Sequence, residues 1–296
     1  MLLQENELGA YDKNHFRPPR EFVFLLVNNG KRRNVKSVRD HDEREVDDLF
    51  RAADQGGNVK AVQEAAMKYR IAKRWGKPVD KKEWHMTPQT VNAYYDPTTN
   101  SINFPAAILQ PPFFDPTVDD AANYGAIGAV IGHEMSHGFD DQGCQFDKDG
   151  NMKNWWTEED KKNYDARTKV LVDWFNKQEV IPGLYVNGEK TLGENIGDNG
   201  GLNIAFRALE NSMKAKPLSD MDGFTPAQRF FLAWGRVWAS NVAPQFVAYI
   251  VNSDVHSPSI SRVNAALPMI DNWYKAFDIK EGDKLFVPQQ SRAHIW

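Results

Sequence analysis

The chain reads as a mainly α, α+β protein, and three observations carry that reading. Helical periodicity runs through residues 119–131 and straight into His133-Glu134-Met135-Ser136-His137, which places a His-Glu-x-x-His segment on a central helix. Two helix starts are written out: Thr157-Glu158-Glu159-Asp160 looks like a capping box, and Thr225-Pro226 sets a cap before a proline at the first helical position. Beyond residue 75, strand-like material is short, confined to strands and loops up to about Pro116 and to residues 180–189.

Taken in order, residues 1–10 carry Glu5 and Glu7 and lack the basic-then-apolar order of a signal peptide. Phe22-Val23-Phe24-Leu25-Leu26-Val27 is too short to span a membrane and reads as a buried strand or helix segment. Residues 31–74 are charged and helix-prone, and Gln55-Gly56-Gly57-Asn58 divides them into two helices. A linker at Trp75-Gly76-Lys77-Pro78 separates an N-terminal helical segment, 1–75, from the portion at 76–296 that carries the chemistry. In the central helix, Asp119 and Asp120 stand in the first turn, where the helix dipole favours acids. Glycines 125, 128 and 132 cost helix propensity and predict close packing against another element. A helix is expected from Thr157 toward Gln178, then a hairpin or tight turn over 180–189 with Asn187-Gly188 in its middle. The later chain reads as mostly helical.

Composition narrows the function. With 296 residues and 41% hydrophobic content, the chain can bury a substantial core. Its 36 basic and 40 acidic residues give −4, which leaves no electrostatic footprint for nucleic acid. No apolar stretch has the length of a membrane span. Cys144 is the sole cysteine, so no internal disulfide forms, and a small packed side chain is its expected role. Asp147-Lys148-Asp149-Gly150 resembles a calcium loop but has Gln145 and Trp156 where that pattern needs acids, so it reads as a glycine turn. His15, His41, His85 and His294 lack partners at ligand spacing. Trp155, Trp156, Phe230, Phe231, Trp234 and Trp238 suit packing rather than base stacking.

The chemistry concentrates around His133 and His137. Residues four apart on a helix lie on nearly one face, so both imidazoles can reach one cation. Glu134 can project toward the open position of such a site and take a proton from water whose pKa zinc lowers. Asp140 and Asp141 follow closely enough to orient a ligand histidine. A catalytic zinc needs a third ligand. Glu194, in Gly193-Glu194-Asn195-Ile196-Gly197-Asp198, completes a His, His, Glu set, and Asp198 at i+4 stands behind a ligand imidazole. Taken alone, that glycine-rich segment would read as a turn with solvated acids.

Five blocks together resemble the neprilysin-like (M13) family of zinc endopeptidases. They are Val91 to Tyr95 with Ile102 to Phe114, Val130 to Asp141, Gly193 to Gly201, Asp254-Val255-His256-Ser257-Pro258, and the terminal Trp296. The bacterial oligopeptidase branch looks nearest, since the animal enzymes carry many cysteines. The resemblance implies a zincin-type catalytic domain over 76–296 holding one catalytic Zn2+. In it His133, His137 and Glu194 match the metal ligands, Glu134 the general base and Asp198 the aspartate behind a ligand histidine. His256 matches the histidine that hydrogen-bonds the tetrahedral oxyanion, with Asp254 as its partner. Asn92 and Ala93 match the strand that holds an extended peptide, and Arg262 matches an arginine that binds substrate carbonyl or carboxylate. The competing readings are a surface histidine in a Ser-Pro turn, a turn asparagine and a solubilising arginine.

The expected protein is thus a metalloendopeptidase that cleaves oligopeptides on the amino side of bulky hydrophobic residues. Family members are far longer, and the first ~70 residues here match none of the family's blocks. The chain is therefore expected to be a truncated piece or a reduced version with an open cleft, lacking the lid and one wall of the specificity pocket. Two other classes stay open: a catalytically incomplete zinc-binding fragment, and a module whose N-terminal helices dock a partner in place of the lid. The resemblance implies an extracytoplasmic location, whereas the lack of a signal peptide favours the cytoplasm.

Overall fold

The computed structural model describes residues 64, 67, 68, 71, 72 and 74–295. Phe22 to Val27, His15, His41, Trp296 and most of the helical reading over 31–74 lie outside the described residues; residues 64, 67, 68, 71, 72 and 74 are helical. Trp75 is exposed and Gly76 turns the chain at φ +69°. Residues Asp80–Trp296 form one compact unit.

Two short antiparallel strands open this unit, β1 (Tyr94–Asp96) and β2 (Ser101–Asn103), with Tyr94 opposite Asn103. Asp96 closes the turn between them by accepting from the Thr98 backbone at 2.9 Å and its hydroxyl at 2.7 Å. The central helix follows as α1 (Asp120–Asn123), a π-helical segment (Tyr124–Gly128) and α2 (Ala129–Ser136). Asp119 caps it by accepting from the Ala122 N–H at 3.0 Å. Sequence periodicity predicts an unbroken α-helix here. The π segment interrupts it because the Ile127 N–H leaves the helical ladder and donates to the Phe113 carbonyl at 3.0 Å.

Next comes α3 (Glu158–Phe175), capped reciprocally by Thr157 and Asp160 as expected. Tyr164, Thr168, Leu171 and Phe175 are its buried stripe, and it ends three residues before Gln178. The hairpin is β3 (Glu179–Ile181) with β4 (Leu184–Tyr185), and its turn lies at Pro182-Gly183, not at Asn187-Gly188. Gly183 takes φ +80°, the conformation that glycine adopts freely and that a proline-first turn needs there. Asn187 instead accepts from Thr191 through its carbonyl and leads into the following helix. That helix, α4 (Leu192–Ala215), is the spine of the molecule. Then come α5 (Pro226–Val237), capped by Thr225 and Gln228, α6 (Pro244–Ser253), α7 (Ser259–Asn264) and α8 (Asp271–Phe277).

Helix α4 reaches two apolar clusters. Leu202, Ala205, Phe206 and Leu209 pack with Phe230, Phe231, Trp234 and Ile270. Nearly two turns earlier, Ile196 joins Leu171, Phe175, Met269 and Ile295. Each large side chain buried there contributes about 1.5–3 kcal/mol. A smaller cluster of Ala93, Ile108, Ile127 and Val130 lies against the central helix. Among the sequence-expected packing aromatics, Phe230, Phe231 and Trp234 are buried, while Trp155 is half exposed and lies edge-on to Phe139.

The contact that matters most for the site is backbone on backbone. A side chain added at Gly132 of α2 would sit 2.9 Å from the Gly201 Cα of α4. One added at Gly201 would strike the Ala129 carbonyl and lie 2.7 Å from the His133 nitrogen. The two helices cross at a distance only glycine permits. This brings the first turns of α4 directly over His133.

Candidate metal centre

Helix α2 presents His133, with His137 one turn later at its C-cap, and the first turns of α4 supply Glu194 and Asp198. His133 Nε2 lies 3.0 Å from His137 Nε2 and 3.2 Å from Glu194 Oε2, and His137 Nε2 lies 3.8 Å from Glu194 Oε1. One ligand atom from each of the three residues falls within 4.8 Å of the others. Zinc bonds of about 2.0–2.2 Å in tetrahedral geometry put ligand atoms about 3.4 Å apart, so these spacings fit such an ion. Glu194 Oε2 is buried without a hydrogen-bond partner although an imidazole nitrogen stands beside it. That is the geometry of lone pairs converging on a cation rather than on one another.

Each imidazole is held through its other nitrogen. His133 Nδ1 donates to Asp198 Oδ1 at 3.0 Å, and His137 Nδ1 donates to Asp140 Oδ2 at 2.7 Å. These bonds fix the ring orientation and leave Nε2 for the ion. Of the two acids expected near His137, Asp140 takes the role; its other oxygen accepts from the Gln142 and Gly143 backbone at 2.8 and 2.6 Å. Asp198 in turn accepts from Arg262 Nε at 2.8 Å and Nη2 at 2.6 Å. The Arg262 guanidinium lies 3.8 Å over the Trp238 ring.

Charge in this cluster favours a cation. Burial, the largest single influence, lowers the pKa of His133, but the Asp198 and Glu194 carboxylates together outweigh it and push it up to about 10. Burial alone would raise Glu194 and Asp198. Glu194 is nevertheless held well below the carboxylate range by His133 first and then Arg262, and Asp198 is held low by Arg262 first and then His133. The carboxylates gathered around His133 supply the negative charge that a bound cation would neutralise.

Glu134 differs. Burial dominates and raises its carboxyl above the ordinary value despite the neighbouring histidines, and its Oε2 is buried with no hydrogen-bond partner. His256 approaches from the loop after α6. Asp254 Oδ1 accepts from both its backbone N–H at 2.9 Å and its Nδ1 at 2.7 Å, and its Nε2 stands 3.2 Å from Glu194 Oε1. Asp254 is held low because these two bonds outweigh burial.

His133, Glu134, His137, Glu194 and His256 border one open cleft of about 650 Å³, with Asp198 buried behind it. Asn92 and Ala93 also line it, but they precede β1 rather than lying within it, and Asn92 Oδ1 accepts from the Ala93 N–H at 3.0 Å. Arg262 is buried, and two of its guanidinium nitrogens are engaged by Asp198. Its third nitrogen, Nη1, is not one of those that Asp198 engages. Sequence reasoning did not single out Asn195, whose Oδ1 accepts from the Ser257 hydroxyl at 2.8 Å, and it read Trp238, which lies beneath Arg262, only as a packing aromatic. The signal for the first pair was positional, since each residue directly follows a singled-out site residue. His85 pairs with Asp96 at 3.2 Å, Cys144 is buried, and Asp147 closes a turn with Gly150 at φ +84°.

Fold and site together define a zincin-type centre: His-Glu-x-x-His on one helix, with a glutamate from a crossing helix. The chain belongs to peptidase family M13, whose model matches residues 92–293. It is 38% identical over 227 residues to a neutral endopeptidase of Lactococcus lactis subsp. lactis, covering 77% of this chain and 34% of that protein. It is 44% identical over 207 residues to Neprilysin-11 of Caenorhabditis elegans, covering 68% and 24%. The inhibitor-bound crystal structure of the zinc metalloprotease Zmp1 of Mycobacterium tuberculosis superposes with a TM-score of 0.75 at 47% identity, covering 80% of this chain and 37% of that one. PepO of Lactobacillus rhamnosis gives 0.70 at 36%, over 80% and 36%. The chain thus spans about a third of the length of these relatives or less. No helix among the described residues is long and apolar enough to cross a membrane.

Proposed function

We propose that the chain carries the catalytic centre of a zinc-dependent metalloendopeptidase that hydrolyses oligopeptides on the amino side of bulky hydrophobic residues. The observation that carries this reading is Glu134: a buried, unpartnered carboxylate oxygen beside three converging ligand atoms. His133, His137 and Glu194 would hold one zinc ion. When bound, zinc supplies Lewis acidity, lowering the pKa of water toward neutrality and polarising a carbonyl.

The chain's own residues do the rest. Glu134 takes a proton from the attacking water as the water oxygen bonds to the carbonyl carbon. It passes that proton to the amine nitrogen as the C–N bond breaks, and burial, which raises its pKa, strengthens it as a proton acceptor. His256, its Nδ1 held by Asp254, offers the Nε2 proton to the oxygen on which negative charge develops. Asn92 and Ala93 at the cleft border would hold the extended peptide, and Arg262 Nη1 would meet a substrate carbonyl or carboxylate. Ile108, Phe113, Val130, Trp234 and Trp238 line the cleft and support a preference for a bulky apolar side chain. The family resemblance also supports an extracytoplasmic location for the whole protein.

The test compares zinc content and hydrolysis of a quenched peptide with an internal Phe or Leu in the chain and its Glu134→Gln variant. Equal zinc, with cleavage reduced about 10²–10⁴-fold in the variant, is expected. Full zinc without cleavage in either protein would replace the reading with a metal-holding unit that is catalytically incomplete. Absence of zinc from both would remove it altogether.

A further inference from the structure

We infer that Asn195 and Ser257 are positioning residues whose buried hydrogen bond sets the spacing between His256 and the ligand Glu194. The catalytic consequence rests on the endopeptidase reading above; the positioning itself does not require turnover.

The loop carrying His256 is weakly held on its N-terminal side, and on its C-terminal side the next tie to α4 after Ser257 is the Arg262–Asp198 pair, six residues beyond His256. The loop follows α6, a helix with no buried residue, whose Phe246 and Tyr249 are 54% and 64% exposed. Asp254 orients the imidazole relative to its own backbone, yet Asp254 lies within the same loop and its side chain is 43% exposed. That clamp cannot register the loop against α4. Ser257 can. Only 3% exposed, it donates through Oγ to Asn195 Oδ1 at 2.8 Å, across 62 residues of sequence.

Asn195 is fixed in turn. It follows Glu194 on α4, so its side chain leaves the helix about 100° away from the ligand carboxylate. It is 2% exposed, and its Nδ2 donates to Thr191 Oγ1 at 2.9 Å. Thr191, also buried, donates to the Asn187 carbonyl at 2.9 Å. An amide flip would set the Asn195 oxygen against the Thr191 hydroxyl, whose proton is already given to the Asn187 carbonyl, breaking the chain Ser257–Asn195–Thr191–Asn187 at that point. Glu194 and His256 are therefore each one peptide bond from a partner in a locked polar contact. Their 3.2 Å approach is set by that neighbouring bond.

The test uses the full chain with ¹⁵N-labelled histidine, metal-free at fixed pH, and reads the imidazole ring signals in Ser257→Ala and Asn195→Ala. Both variants are expected to shift and broaden the His256 signals and leave those of His85 and His294 in place. The double variant should add little to either single one. Unchanged His256 signals in either variant, with the helical circular dichroism intact, would overturn the inference. In the zinc-loaded enzyme, Ser257→Ala should lower kcat roughly 10- to 100-fold with KM and zinc content unchanged. The same substitution should have almost no effect in a His256→Ala background. A loss of the same proportion in that background would show general damage and also overturn it. A chain that holds zinc but cleaves nothing would refute the endopeptidase reading while the ring signals still decide the positioning.

Discussion

The two sides of the cleft are built by different means. On one side, His133, His137 and Glu194 stand on helices that touch through glycine backbones, with Asp198 and Arg262 filling the space behind. On the other, His256 hangs on a loop after a helix that buries nothing, registered by polar bonds. The first arrangement has no soft coordinate: a change there must move a helix. The second can be altered without disturbing the core. An ion needs several ligands fixed to within a few tenths of an ångström, whereas a hydrogen-bond donor to a developing charge tolerates a looser mount.

Substitutions on the two sides should therefore separate in stability. The largest loss is expected from Asp198→Ala, which leaves Arg262 buried without its carboxylate and His133 without its orienting partner. About 3–5 kcal/mol should disappear in urea unfolding, with zinc affinity reduced about 10–100-fold in a chelator competition. An unchanged unfolding midpoint would mean that Arg262 finds another anion or water.

Gly201→Ala comes next. Its new methyl meets the Ala129 carbonyl and the His133 backbone, forcing the helices apart. A cost of about 1–3 kcal/mol is expected, together with weaker zinc binding, because His133 and Glu194 move with the backbone. Wild-type stability and zinc affinity in this variant would refute the account of the crossing.

His256→Ala should do the opposite. Stability is expected to stay within about 0.5 kcal/mol and zinc content to stay equal, while peptide turnover falls about 10²–10³-fold. A large unfolding shift would erase the contrast between the two sides.

The smallest effect concerns pH. Asp254 is held below its ordinary pKa because its bonds to His256 outweigh burial. A depressed carboxylate contributes stability above its unfolded pKa and loses it as pH falls through the folded value. Asp254→Asn should thus be slightly less stable than the wild type at neutral pH, by a few tenths of a kcal/mol at this exposed site. The gap should close on acidification from pH about 4 downward. A gap that persists in acid would assign the stability difference to packing instead.

Much of this architecture is legible in the chain itself, where the signal is local. Caps at Thr157 and Thr225 are short-range chemistry, and both helices start where those residues predict. The spacing of His133 and His137 follows from helical geometry alone. Other features needed partners distant in sequence. The hairpin turn settled at Pro182-Gly183, since Asn187 is drawn into the start of α4 through Thr191. The π segment exists because the Phe113 carbonyl claims the Ile127 N–H. The bond from Arg262 to Asp198, 64 residues away, likewise had no local signal.

By itself, then, the sequence determined which residue types can hold a cation and move a proton, and which segments are helical, because both depend on neighbours within a turn or two. Only the tertiary structure decided how those groups meet. The glycine-on-glycine crossing that sets Glu194 against His133, the choice of Asp140 over Asp141, and the tie from Ser257 to Asn195 all depend on how the chain packs in three dimensions. Contacts of that kind are set by which surfaces meet, and no local pattern encodes them.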